Sequence, residues 1–277
     1  MPEGDTIFRA ARTLNRALAG KSIVRFESVF PHLNRVHEDA PLTGRSIQAV
    51  HAAGKHLLME FSGGLVLRTH MRMNGSWHIY RPGEKWQRHR RSMRIVIATA
   101  DFEAVGFDIP VAEIIRANDV ARHDELRKLG PDLLGDEFDA PEAARSIHER
   151  GTSEIADVLL NQRVLAGIGN VYKSEVLFAC KVNPFAIVST LDDVQIQCLV
   201  TTARKYLRAN VTEGLAAMTT YTGFRRTTGR SDRKERLWVY GRAGEPCRKC
   251  GTAIAVRAQG RDARLTYWCE RCQASTS

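Results

Sequence analysis

No apolar run in this chain of 277 residues comes near the ~20 residues that a membrane-spanning helix needs, so no membrane partner is expected. The opening residues carry Glu3 and Asp5 and hold no apolar core. They do not read as a secretory signal, and a cytoplasmic location follows by default. Cysteine is scarce. Of the six, four fall in two close pairs near the end, a usage that excludes the dense disulfide framework of a small secreted domain. The other two, Cys180 and Cys198, sit in apolar helical stretches and read as buried core thiols. Acidic residues are outnumbered, 31 Asp and Glu against 41 Lys and Arg, for a formal net charge of +10. That balance favours a polyanionic partner, most commonly nucleic acid, although charge alone leaves DNA, RNA and anionic lipid open.

The length suits two domains with a small appendage. At the amino terminus stands Met1-Pro2-Glu3-Gly4-Asp5. Removal of an initiator Met that precedes Pro leaves Pro2 as a free secondary amine. An α-amino group titrates near pH ~8, so roughly a tenth is neutral at pH 7. Such an amine can attack an electrophilic sugar carbon, as catalytic lysines attack carbonyls. Proline then gives a permanently cationic iminium, a strong electron sink for elimination, and Glu3 stands beside it as a proton donor. Met-Pro-Glu is also an ordinary way for a protein to begin, so the rest of the chain has to decide.

Asp5 is placed to cap a helix over residues 6–19, with Ile7, Ala11, Leu14 and Leu18 on one buried face. Strand patterns follow at 22–29 and 44–50. Two hairpins are expected, 55–61 with 65–70 across Ser62-Gly63-Gly64, and 93–98 with 103–107. Many short strands with turn signals predict an antiparallel sandwich or barrel. Gly54-Lys55 opens the first hairpin and sets Lys55 at a sheet rim, as a phosphate contact, a proton donor or a plain edge lysine. In His70-Met71-Arg72-Met73-Asn74-Gly75 a Met at a loop tip is either core filler or a wedge for a base stack. The basic run 85–91 is either a phosphate-contacting edge or a solvated face.

Residues 122–139, broken by Gly130-Pro131 and Gly135, read as a connection between domains. The boundaries expected are 1–120, a linker at 121–150, a helical domain at 151–240 and a finger at 241–277. Helical patterns at 154–163 and 171–180 flank Leu165-Ala166-Gly167-Ile168-Gly169-Asn170. The second helix would offer its free N–H groups and the Asn170 amide to an anion, or simply form a packed corner. Thr190 is placed to open a third helix over 191–211, with Asp193 in a capping-box position.

Cys247-x2-Cys250-x18-Cys269-x2-Cys272 carries the spacing of a tetrahedral four-cysteine zinc site. The residues between read as a β-hairpin, strands at 254–257 and 265–268, bearing Arg257, Arg261 and Arg264. With no open coordination position, one Zn2+ ion would be structural, stiffening a segment too short to fold alone.

Taken in order, Met1-Pro2-Glu3-Gly4, Gly54-Lys55-His56-Leu57, the segment from Leu165 to Tyr172, Val239-Tyr240-Gly241-Arg242 and Arg264-Leu265-Thr266-Tyr267-Trp268-Cys269 resemble the formamidopyrimidine-DNA glycosylase and endonuclease VIII family. The resemblance spans nearly the whole chain. It implies an α+β fold: an antiparallel β-sandwich with a leading helix, then a helix-two-turns-helix domain and a β-hairpin zinc finger. It also implies a monomeric, nucleoid-associated DNA glycosylase and abasic-site lyase acting on damaged double-stranded DNA through a cationic cleft between two domains. Pro2 would attack C1′ and form the Schiff base, with Glu3 as proton donor. Lys55 would assist β-elimination and Arg264 δ-elimination. Asn170 would clamp a phosphate, Met73 would enter the gap left by the everted base, and Lys128 and Arg72 would contact DNA.

Three departures qualify the resemblance. Thr6 stands where many members have a second Glu, so any relay through that carboxylate is absent or rebuilt. The run from Val105 to Pro110 lacks the arginine pair of the oxidised-purine enzymes, and residues 221–238 lack their usual loop signature. The last two favour the endonuclease VIII branch and oxidised pyrimidines. A purine-directed glycosylase and a non-catalytic zinc-finger damage-binding protein are the alternatives.

Overall fold

In the computed structural model, residues 2–212 and 225–274 are described, apart from 229, 231, 233 and 234; part of the 221–238 stretch therefore lies outside the described residues. The chain divides between Lys128 and Leu129 into two units. Among the described residues no helix is long and apolar enough to cross a membrane.

The first unit opens with α1 (Gly4–Leu18), whose Ile7, Ala11, Leu14 and Leu18 are buried as the spacing predicts. Its cap is not Asp5. The chain is extended at Glu3, whose carbonyl accepts from Thr6 and Ile7, so the helix begins earlier and Asp5 lies buried in its first turn. After β1 (Arg25–Ser28) and α2 (Pro31–Asp39) come β2 (Ile47–Ala53), β3 (His56–Phe61), β4 (Leu65–His70) and β5 (Ser76–Tyr80). Then follow β6 (Met93–Ala98), β7 (Glu103–Phe107), β8 (Val111–Arg116) and the short α3 (Ala117–Val120). All strand pairs are antiparallel, in two four-stranded sheets ordered β2-β3-β4-β8 and β1-β6-β7-β5. Leu57, Met59 and Leu67 of one sheet meet Ile95, Ile97 and Ala104 of the other, with α1 sealing the same core. The sandwich is therefore the expected one, but the strand expected at 22–29 shortens to β1, because Ser22 makes only an isolated bridge to Ser46.

The second unit contains α4 (Ala140–His148), α5 (Ile155–Leu160), α6 (Asn170–Ala179) and α7 (Asp193–Thr212), then the hairpin of β9 (Ala255–Gln259) and β10 (Arg264–Trp268). Three expectations change here. Residues 129–150 are not a linker: Leu133 and Leu134 are buried, Ala166 donates to the Pro131 carbonyl, and α4 packs on α7. The finger is not a separate body either, since Cys247, Ile254 and Cys269 share one apolar cluster with Phe178 and Val239. And α7 starts at Asp193, not Leu191, because Asp192 and Gln195 form the reciprocal capping box, at 2.7 and 3.1 Å. Cys180 and Cys198 are not core thiols. They are half-buried and joined in a disulfide that links the end of α6 to α7.

Candidate active site and phosphate-binding surface

The two-residue loop Gly54-Lys55 joins β2 to β3, with Ala53 paired to His56 and Gly54 at φ +57, where glycine carries no steric penalty. Since His56 also pairs with His70, register alone brings Lys55 to the end of the sheet from which residues 71–75 emerge. That second turn is tight. Arg72 is left-handed at φ 49 and donates its N–H to His70 Nδ1 at 3.0 Å, and Gly75 donates to the Met71 carbonyl at 2.9 Å. A Cβ on Gly75 would stand 2.6 Å from that carbonyl oxygen, so only glycine closes the turn. The two methionines separate accordingly: Met71 is 2% exposed and fills the core, while Met73 is 49% exposed at the tip.

Pro2 lines a cleft of about 780 Å³ together with Arg72, Met73, Arg88, Arg94 and Asp108. Glu3, the next residue, is fully buried. Arg88 and Asp108 pair at 2.8 Å on the wall, and Ile109 and Pro110 continue it. The segment that departs from the oxidised-purine enzymes is thus part of this cleft. Thr6, also buried, donates its hydroxyl to Asp5 at 3.3 Å.

Behind Lys55 lies a group that motif reading missed. Arg68, 3% exposed, pairs with Glu113 at 2.8 Å and with Glu125, and its Nη1 is 3.3 Å from His56 Nδ1. The His56 and His70 rings meet edge to face at 4.8 Å. Burial above all, then the neighbouring His70 and Arg68, lowers His56 to about 3. Burial, then the charges of Arg72 and Lys55, lowers His70 to about 4. Both rings are therefore neutral near pH 7. The signal was the hairpin register, which sets the two histidines opposite each other. Lys128 closes the unit at the surface, 3.1 Å from Asp124.

In the second unit, α6 begins after Gly169, whose position gives no side-chain cap, and the positive end of its dipole lies at Asn170. Asn170 stands there and donates its Nδ2 to the Leu265 carbonyl at 2.8 Å. This contact joins the start of α6 to the start of β10, whose first residue is Arg264, with a side chain 40% exposed and 3.8 Å from Asp262. Asn170 and Arg264, far apart in sequence, are therefore neighbours.

The four cysteines of the finger place all their sulfurs within 4.8 Å of one another. Cys247 and Cys272 are 3.9 Å apart and Cys250 and Cys269 3.4 Å. Sulfurs at ~2.3 Å from a tetrahedral zinc would be about 3.8 Å apart. The donor set fits one structural Zn2+, which would stiffen the hairpin that carries Arg264.

Residues 1–110 match the formamidopyrimidine-DNA glycosylase N-terminal domain, 129–222 its H2TH domain, and 244–274 the zinc finger found in FPG and IleRS. The chain is 42% identical to the probable endonuclease 8 2 of Streptomyces coelicolor, over 99% of its own length and 94% of that protein's. The chain belongs to the formamidopyrimidine-DNA glycosylase family. It is also 39% identical to the DNA-(apurinic or apyrimidinic site) lyase Nei2 of Mycolicibacterium smegmatis, with 100% of both chains covered. Its structure resembles that of Lactococcus lactis Fpg in complex with DNA containing an abasic site, at a TM-score of 0.82 and 25% identity, covering 99% of this chain and 100% of that one.

Proposed function

We propose that this family member is a bifunctional DNA glycosylase and abasic-site lyase of base excision repair, acting on oxidised pyrimidines in duplex DNA. The observation that carries the reading is the cleft that Pro2 lines together with Arg72 and the exposed Met73. An amine for attack on a sugar carbon, a cation for the backbone and an apolar wedge for the stack meet on one surface.

With Met1 removed, the Pro2 nitrogen bonds to C1′ of the damaged nucleotide. The C1′–base bond breaks, the base leaving with the proton that the Pro2 nitrogen sheds, and the ring oxygen then leaves C1′ as a hydroxyl with a proton from Glu3, giving the iminium. Loss of a C2′ proton then expels the 3′ phosphate, the step assigned to Lys55. Loss of a C4′ proton expels the 5′ phosphate in the second elimination, assigned to Arg264. Asn170 and the start of α6 hold a phosphate, and Lys128 and Arg72 add backbone contacts whose strength falls with salt. Met73 takes the space of the everted base. The zinc, when bound, is purely structural. The pyrimidine preference is supported by the cleft wall of Asp108, Ile109 and Pro110 and by the endonuclease 8 name of the Streptomyces coelicolor relative. A monomer acting in the cytoplasm on nucleoid DNA completes the proposal.

The test compares strand cleavage of matched duplexes bearing thymine glycol or 8-oxoguanine. Faster cleavage at thymine glycol is expected. The reverse order would make this a purine enzyme, and cleavage of neither lesion nor of an abasic duplex would leave only a damage-binding protein.

A further inference from the structure

A lysine that is 1% exposed needs a reason, because an ammonium ion leaves water only at a cost of several kcal/mol unless it is hydrogen-bonded or paired. Lys173 is such a residue, one turn into α6, and neither the base-removal step nor the zinc site uses it. Its Nζ donates to Thr266 Oγ1 at 2.7 Å. That hydroxyl donates to Gln259 Oε1 at 2.7 Å, and Gln259 Nε2 donates to Glu154 Oε2 at 2.7 Å and to the Pro184 carbonyl at 3.1 Å. Thr266 and Gln259 are themselves buried.

The direction of this chain matters. An ammonium can only donate, so it forces Thr266 to accept from it and to pass its own proton to Gln259. Gln259 must then turn its amide toward Glu154. Each link therefore has one permitted orientation, with a cation at one end and a carboxylate at the other. Gln259 is the register partner of Arg264, and Thr266 lies two residues along β10 on the same face as Arg264. The neighbours of Lys173 extend the seam: Asn170 donates to the Leu265 carbonyl at 2.8 Å, and the Tyr267 N–H points to Ser174 Oγ at 3.4 Å. Positions 170, 173 and 174 lie on one face of α6 and hold three consecutive residues of β10.

We propose that Lys173 is a positioning residue for the second elimination, fixing through Thr266 and Gln259 the strand that presents Arg264 beside Asn170. The inference rests on the role of Arg264 proposed above. Arg264 sits at the first residue of β10, where a hairpin anchored only at its zinc end would let its guanidinium wander by an ångström or more. Such a displacement is enough to lower a rate by orders of magnitude.

The experiment uses the full zinc-loaded chain on a duplex with a preformed abasic site and reads the ratio of δ- to β-eliminated product. Lys173→Met, Thr266→Val, Lys173→Arg, Arg264→Ala and the Lys173→Met/Arg264→Ala double variant are compared, with zinc content measured for each. We expect Lys173→Met and Thr266→Val to lower the ratio about tenfold with zinc retained, and Lys173→Arg, which keeps a donor-only cation, to restore part of it. The double variant should be no worse than Arg264→Ala, since both changes act through one guanidinium. A purely structural lysine would slow both eliminations together and leave the ratio unchanged, which overturns the proposal. If Lys173→Met loses zinc, Thr266→Val decides by the same criterion. A wild-type ratio in Arg264→Ala overturns the reading of Arg264 and the inference with it. A loss confined to Arg264→Ala overturns the inference alone.

Discussion

At the scale of single residues, the His56–His70 pair has the most direct physical consequence. Both rings sit beside Arg68 and other cations, with protonation pushed down to about 3 and about 4. In the unfolded chain they would titrate near pH ~6.5, so below that pH the unfolded state binds more protons. The stability they confer is complete above pH ~6.5 and is lost as pH falls toward the folded-state values. For His56 alone the loss between pH 7.5 and 5 is about 2 kcal/mol. Urea unfolding of wild type and His56→Gln at both pH values checks this: the variant should have the flatter dependence. Motif reading proposes Pro2, Glu3, Lys55, Asn170 and Arg264 as site residues from residue type and order in the sequence. It could not find Arg68, since Glu113 and Glu125 reach it from distant segments. It could not find the Cys180–Cys198 bond either, because cysteines on two separate helices leave no spacing signature.

At the scale of elements, periodicity located the two expected hairpins to within a residue and α1 to within two, because each has one clear buried face. Helix starts were read less well, since a cap is chosen by competing side chains: Asp192 and not Thr190 caps α7, and Glu3 and not Asp5 precedes α1. The helical pattern at 171–180 gave the bounds of α6 to within a residue, but not that Lys173, Ser174 and Glu175 are buried among its apolar residues. Glu175 accepts from the backbone N–H groups of Trp238, Val239 and Tyr240, at 2.8 to 2.9 Å, and from the Thr227 hydroxyl. Burial pushes its carboxyl up, while those donors pull the other way. Glu175→Gln turns an amide donor toward these N–H groups and should destabilise the second unit by about 2–4 kcal/mol, read as a fall in Tm. Cys269→Ala removes a zinc ligand and with it the hairpin's order. DNA affinity should fall at least tenfold with zinc lost, and normal affinity would show that the finger does not carry DNA contacts.

At the scale of the whole molecule, the chemistry is divided. The residues proposed as amine, acid and wedge, Pro2, Glu3 and Met73, belong to the first unit, and Asn170, proposed as a phosphate clamp, and the hairpin carrying Arg264 to the second. That division was visible in the sequence as motif order, whereas the merging of residues 129–150 and of the finger into the second unit depended on packing that no local pattern encodes. All of it serves one claim, that the amino-terminal nitrogen is the nucleophile. The claim is tested most directly by borohydride trapping on an abasic duplex, followed by peptide mapping of the adduct. Met-processed protein should form a covalent adduct on Pro2, and Pro2→Gly should form it about tenfold more slowly with nearly unchanged DNA affinity. Absence of any adduct, or an adduct on a lysine in place of Pro2, would contradict the account.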